Sequence, residues 1–177
     1  MMAQMPSSIT PDRLFNRAVH YLERYAASVE GVRAVLQRGL QRAAQRGEVV
    51  PEEARGWIEE TLARLVALGY VDDKKFAEVK VRSLRNRGAS SFKIRQTLAH
   101  KGVDADMVQE ALAGDDVADD WQAALTFARK RRLGVFATVP CPEKRPQHLA
   151  ALARAGFSLT IARRIVDAET VEELQEE

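Results

Sequence analysis

The chain has 177 residues, of which 46% are hydrophobic, 29% charged and only 6% aromatic. That length suits one medium domain or a short array of small units, and the Ala-, Leu-, Arg- and Glu-rich mix favours helix over a sheet-rich sandwich or barrel. A single cysteine, Cys141, excludes a disulfide framework and a Cys-rich zinc site, while the net charge of +2 says little until its distribution is read.

Residues 1–11 read as a flexible arm. They lack the basic start and apolar core of a signal peptide. No stretch approaches the roughly 20 apolar residues of a membrane span. A cytoplasmic protein is therefore expected. Thr10-Pro11-Asp12 has the form of a helix start, followed by Phe15, Ala18, Val19 and Leu22 at helical spacing. Ser28 caps a second helix with Val32, Val35, Leu36 and Leu40 inward, ended by Gly47. Pro51-Glu52-Glu53 opens a third, with Trp57, Ile58, Leu62 and Leu65 on one stripe and Gly69 as stop.

The pattern then restarts. Asp72 or Asp73 caps a helix carrying Phe76, Ala77, Val81 and Leu84, and Gly88 ends it. Ser90 or Ser91 caps the next, with Ile94 and Leu98 inward and Gly102 as stop. Asp104 caps a short helix with Met107, Val108, Ala111 and Leu112. A third restart runs through Trp121, Ala124, Leu125 and Ala128 to Gly134. Residues 134–146 hold three prolines and read as a longer loop. Leu149 and Leu152 belong to a further helix ending at Gly156, and Ser158 caps the last, with Ile161, Ile165 and Val166. The expectation is about nine helices and no sheet.

The restarts align with one another. A shift of 62 lays Leu22 on Leu84, Ser28 on Ser90, Val32 on Ile94 and Leu36 on Leu98. A shift of 54 lays Leu98 on Leu152, Gly102 on Gly156 and Met107 on Ile161. Three three-helix units are expected, at 12–70, 71–114 and 115–168, with an acidic tail at 169–177. Units this small have marginal cores alone, so stacking into an elongated, curved, solenoid-like array is expected. Such a body suits an extended partner better than a small-molecule substrate.

Charge is segregated along this array. No acid lies between Val79 and Val103, a window holding Lys80, Arg82, Arg85, Arg87, Lys93, Arg95 and Lys101. Seven acids and no base follow from Asp104 to Asp120. Arg129, Lys130, Arg131 and Arg132 form a second basic cluster, and Arg163 and Arg164 a third; the chain from Asp167 carries six acids and no base. Basic patches of this kind suit an anionic partner. Arg82, Arg85, Arg87, Lys93, Arg95 and Lys101 are the leading candidates, because arginine's planar fork pairs with carboxylates or phosphates. Arg82 and Arg85 share a helix face, whereas Lys93 and Arg95 do not. Some of Arg129–Arg132, and Arg163 and Arg164, equally suit the C-terminal dipole of a helix.

Other residue types point to structure rather than chemistry. Trp57, Trp121 and Phe157 lie on apolar stripes and read as core. The aromatics are not interleaved with the basic clusters, which argues against base stacking. His100 has no carboxylate companion nearby in sequence, and Cys141 reads as an incidental thiol. Adjacent acids such as Asp72-Asp73 sit at helix starts, where capping explains them. There is no phosphate-cradling glycine loop and no catalytic constellation. No enzyme, metal or cofactor is expected.

The junction Leu68-Gly69-Tyr70-Val71-Asp72-Asp73 with Phe76-Ala77 resembles the RecX family of recombination regulators. So do Arg87-Gly88, Ile94-Arg95-Gln96-Thr97-Leu98 and Lys101-Gly102-Val103, and Leu152 with Gly156-Phe157-Ser158. The resemblance spans about residues 12–168 and is strongest in the middle unit. Tyr25, Gly31 and Ala155 depart from the family's usual pattern. The resemblance implies tandem three-helix repeats, binding to the RecA recombinase filament, inhibition of its ATPase, filament growth and strand exchange, and weak DNA binding. The alternative is a stand-alone DNA-binding module with a helix-turn-helix-like basic unit.

Overall fold

The computed structural model describes residues 9–113, 120–138 and 142–174. Most of the expected N-terminal arm, Asp115, Asp116 and Asp119 of the acidic run, Cys141 and the end of the acidic tail lie outside them. Among the described residues the protein is all-helical, with nine α-helices and no strand. They are α1 (Pro11–Leu22), α2 (Val29–Gln45), α3 (Ala54–Ala67), α4 (Asp73–Asn86), α5 (Ser91–Ala99), α6 (Ala105–Ala113), α7 (Asp120–Arg131), α8 (Arg145–Arg154) and α9 (Leu159–Asp167).

The caps explain where most of them begin. Thr10 Oγ1 accepts from Arg13 N, Ser28 Oγ from Gly31 N, Ser90 Oγ from Lys93 N and Ser158 Oγ from Ile161 N. Each satisfies a first-turn amide that has no helical partner. Asp72 plays the same part for α4, accepting from Lys75 N. One start differs from expectation. Pro51–Glu53 forms a turn, closed by Ala54 N on Pro51 O, and α3 begins after it. The proline-containing segment 134–146 also holds short 3-10 turns at Gly134–Phe136 and Pro142–Lys144, too brief to leave a periodic signal.

By its internal contacts the chain divides into two compact units. One comprises residues 1–76 and 100–104, the other residues 77–99 and 105–177. The first packs α1, α2 and α3 around Leu14, Ala18, Val32, Leu36, Ile58, Leu62 and Leu65. Arg33 of α2 adds a two-pronged bond to Glu59 of α3 and pairs with Glu30. In the second, Ala124, Ala128, Leu152, Phe157, Ala162 and Ile165 join α7, α8 and α9. Trp57 and Trp121 pack half-buried against these cores, as their stripes suggest.

A single arrangement occurs once in each unit. In the first, the Ser28 hydroxyl, besides capping α2, donates to Lys101 O at 2.5 Å, and Val29 N donates to Asp73 Oδ1 at 2.9 Å. In the second, the Ser90 hydroxyl donates to Ala155 O at 2.6 Å, and Ser91 N donates to Asp120 Oδ1 at 2.7 Å. Ser28 superposes on Ser90, and Lys101 on Ala155, at the two shifts read from the sequence. Both serines are essentially inaccessible to solvent. Each hydroxyl thus donates to one backbone group and accepts from another. Ser28→Ala and Ser90→Ala are each expected to cost about 1–2 kcal/mol, from a lost cap and a carbonyl left without its donor. Urea unfolding midpoints check this.

Candidate functional site

The basic window begins on α4, whose inward row is set by Ala77 and Val81, both buried. Arg85 lies four residues beyond Val81 and continues that row. It is only 7% exposed, and is therefore no part of the open surface expected of it. Its Nη1 donates to Asp120 Oδ1 and Ala89 O, and its Nη2 to Ser91 Oγ. Asp120 Oδ1 also receives Ser91 N and Oγ. A buried guanidinium and a half-buried carboxylate thus tie α4, α5 and α7 within the second unit. Arg82, three residues earlier, is exposed, so the two arginines do not share an orientation.

The two half-buried carboxylates behave oppositely. Burial tends to raise the Asp120 carboxyl, but the bonds from Arg85 and Ser91 outweigh it and hold it below the usual carboxylate range. Burial raises Asp73 above that range, only partly offset by the bond from Val29 N, with the Asp72 charge adding to the rise. The folded second unit therefore binds the Asp120 proton more weakly than the unfolded chain. Its stabilising contribution is complete above pH ~4 and fades as pH falls further. Asp73 has the reverse sign, so acidification through its raised range relieves the first unit. Amide exchange around Val29 and around Ser91, followed from pH 6 to pH 3, is expected to show protection falling at Ser91 well before it falls at Val29.

The other candidates are exposed: Arg87, Lys93, Arg95, Arg129, Lys130, Arg131, Arg132, Arg163 and Arg164 in the second unit, Lys101 in the first. Ile94 and Leu98 face the core of α5, which turns Lys93 and Arg95 outward. Lys93 Nζ donates to Gln96 Oε1 and Arg95 Nη2 to Gln109 Oε1. Lys130 Nζ lies 3.3–3.4 Å from the carbonyls of Asn86 and Arg87, at the C-terminal end of α4. That contact brings Arg87 and the cluster at 129–132, distant in sequence, onto neighbouring ground. Arg129 lies over Phe136, Arg131 over Phe127 and Arg164 over Trp121, the last at 4.3 Å.

Amides, carbonyls and aromatic faces hold Lys93, Arg95, Arg129, Lys130 and Arg131 in place. Elsewhere the partners are acids: Arg33 with Glu30 and Glu59, Arg46 with Glu48, Arg145 with Asp167. Arg132 is distinguished by its backbone. It takes the left-handed conformation, φ +54°, just past the end of α7, where α2 and α3 use glycine. A side chain there costs about 1 kcal/mol relative to glycine.

A groove of about 750 Å³ lies in the first unit and is lined by Gln37, Leu40, Val50, Pro51 and Arg55 among others. Among the described residues no three His, Cys, Asp or Glu side chains are placed to hold a metal ion. No described helix is long and apolar enough to cross a membrane.

Comparison with known proteins matches residues 72–112 to the family model described as RecX, second three-helix domain. Regulatory protein RecX of Myxococcus xanthus is 41% identical over 166 residues, covering 92% of this chain and 88% of that protein. Regulatory protein RecX of Agrobacterium fabrum is 30% identical over 163 residues, covering 91% and 85%. Among solved structures, a crystal structure of regulatory protein RecX matches 89% of this chain and 72% of its own, with a TM-score of 0.65 at 22% identity. RecX from Lactobacillus salivarius matches 90% and 96%, with a TM-score of 0.62, also at 22% identity. These likenesses are to the all-helical fold.

Proposed function

The chain belongs to the RecX family of regulatory proteins, and from that premise we propose that it binds the RecA recombinase filament on DNA and inhibits its ATP hydrolysis, growth and strand exchange. The observation that carries this reading is a set of exposed cations in the second unit whose side chains rest on neutral groups. Lys93, Arg95 and Arg129–Arg131 are steadied by neutral groups, and Arg87 is exposed beside Lys130, so their charge is available to an anionic surface. A filament on DNA supplies both carboxylates and phosphates to such a surface.

Arg82, Arg87, Lys93, Arg95, Lys101, Arg129–Arg132, Arg163 and Arg164 are the proposed contacts; Arg85 is not among them, because it is buried. The division into three-helix units at 12–70, 71–114 and 115–168 belongs to the same reading. The matching Ser28 and Ser90 bonds support it. The mechanism needs no chemistry from the protein. Preferential binding to an inactive arrangement of the filament lowers its activity by mass action. The protein acts in the cytoplasm, where its partner is, and contacts DNA weakly on its own.

RecA's DNA-dependent ATPase, titrated with substoichiometric protein, tests this. Progressive inhibition is expected. An unchanged ATPase, together with tight and steeply salt-dependent DNA binding in the absence of RecA, would instead identify a stand-alone DNA-binding module.

A further inference from the structure

Phe92 is 60% exposed on α5, although burial of its ring would be strongly favourable. The core positions of this helix are already filled by Ile94 and Leu98. The shift of 62 sets Phe92 opposite Glu30, a charged residue of the first unit, so the repeat plan asks for no ring here. The ring nevertheless has a defined seat. A Cβ at Gly156 would come within 2.8 Å of Phe92 Cδ1, 3.1 Å of Phe92 Cβ and 2.7 Å of Ser90 Oγ. The turn before α9 thus supports the ring from one side with bare backbone. Gly156 has φ +88°, a conformation that also disfavours any side chain.

Positive charge flanks the open side. Arg95 is one turn along α5 from Phe92, on the same face, and is exposed. Gln96, four residues on, draws the Lys93 ammonium to that flank through their 2.7 Å bond. Both cations are bonded to glutamine amides, which release them to a phosphate at little cost. An exposed ring between cations, in a stretch of 25 residues from Val79 to Val103 without an acid, has the elements of a single-strand binding platform: a stacking face and nearby backbone charge. A duplex offers the same phosphates but keeps its base faces inside the stack. An acidic protein segment would meet the charges without needing the flat ring.

We propose that Phe92 stacks against an unpaired base of single-stranded nucleic acid, with Lys93 and Arg95 meeting the adjoining phosphates. The proposal deepens the reading above by naming the form of DNA that the second unit contacts. It also amends the expectation from sequence that aromatics stand apart from the basic clusters.

The test uses the full-length protein, a labelled oligothymidine and a duplex of equal length. Phe92→Ala is expected to weaken oligothymidine binding about 5- to 100-fold while leaving the slope of log affinity against log salt unchanged. Duplex binding stays within about twofold, because phosphate contacts alone support it. Arg95→Ala reduces the single-strand slope by about 0.7. Phe92→Trp retains affinity, and its indole fluorescence is quenched when oligothymidine binds. Far-ultraviolet circular dichroism checks that each variant is folded.

Unaltered oligothymidine affinity in Phe92→Ala, equal loss on duplex, or no measurable single-strand binding by the parent protein overturns the proposal. Loss of RecA inhibition with single-strand binding intact makes the ring a protein contact; it overturns stacking and leaves the RecA reading standing. Single-strand stacking without any effect of the parent protein on RecA supports the proposal and contradicts the RecA reading alone.

Discussion

Replacing Asp120 with alanine is expected to destabilise the second unit by about 3–5 kcal/mol, the usual cost of stranding a buried charge. Arg85 is nearly inaccessible, so its guanidinium must find other partners or reach for water. Removing Asp120 also takes the acceptor from Ser91 N and Oγ at the start of α5. Asp120→Asn keeps an acceptor but loses the charge, and is expected to cost less. Arg85→Met in the Asp120→Ala background is expected to recover much of the loss, because it removes the orphaned cation while keeping an apolar stem. Thermal unfolding of these proteins, with Arg85→Met alone completing the cycle, measures the coupling, and the melting temperature of Asp120→Ala is expected to fall by roughly 6–20 °C. A loss no greater than that of an exposed ion pair, under about 1 kcal/mol, would show that the cluster does not carry the unit.

Gly134→Ala is the second large effect, expected at about 2–5 kcal/mol. Gly134 has φ +56°, and a Cβ there would sit 2.5 Å from Ile165 O, 2.9 Å from Val166 Cα and 3.1 Å from Ile165 C. All three are backbone atoms of α9, which cannot swing aside as a side chain can. Backbone strain and overpacking therefore add. Gly134 N also donates to His148 Nδ1 of α8 at 3.0 Å, so a displaced turn disturbs α8 as well as α9. Gly47→Ala is the control. Its φ is +77°, but nothing lies within 4 Å of the added methyl. It is expected to cost only about 1–2 kcal/mol, from backbone conformation alone. Denaturant midpoints separate the two; equal losses would show that conformation, not contact, governs Gly134.

Much of this architecture is legible in the sequence because it rests on local signals. Cap serines, stop glycines and apolar stripes mark the helices, and they recur at fixed shifts. Ser28 and Ser90 illustrate how far such matching reaches: the repeat pairs them correctly, and the hydroxyls then make equivalent bonds to carbonyls 73 and 65 residues away. Arg85 was less legible. Charge suggests the surface, while its true environment depends on Asp120, 35 residues away. The Ala77–Val81–Arg85 row is a local sign of its burial, and the four-residue spacing could have revealed it. Leu84, read as inward, is only half-buried, consistent with the row turning toward Arg85.

The merging of Arg87 with the cluster at 129–132 has no sequence signal. It arises from Lys130 reaching the carbonyl end of α4 and from the close approach of the Gly88 turn to the backbone of α7 at Ala123 and Phe127. Phe92 is hard to read from sequence for a different reason. Apolar stripes mark rings that are buried, whereas its signal is a ring at a position where the repeat places Glu30.

The most direct measurement is RecA's DNA-dependent ATPase titrated with a variant carrying Arg82→Glu, Arg87→Glu and Arg95→Glu together. These reversals leave the Arg85–Asp120 cluster and the packed stripes in place. Half-inhibition is expected to require on the order of tenfold more variant than parent protein, with the helical signal unchanged. Inhibition equal to the parent's, or an equal loss from reversing the exposed Arg38, Arg42 and Arg55 of the first unit, would contradict the assignment of the second unit's basic surface to the filament.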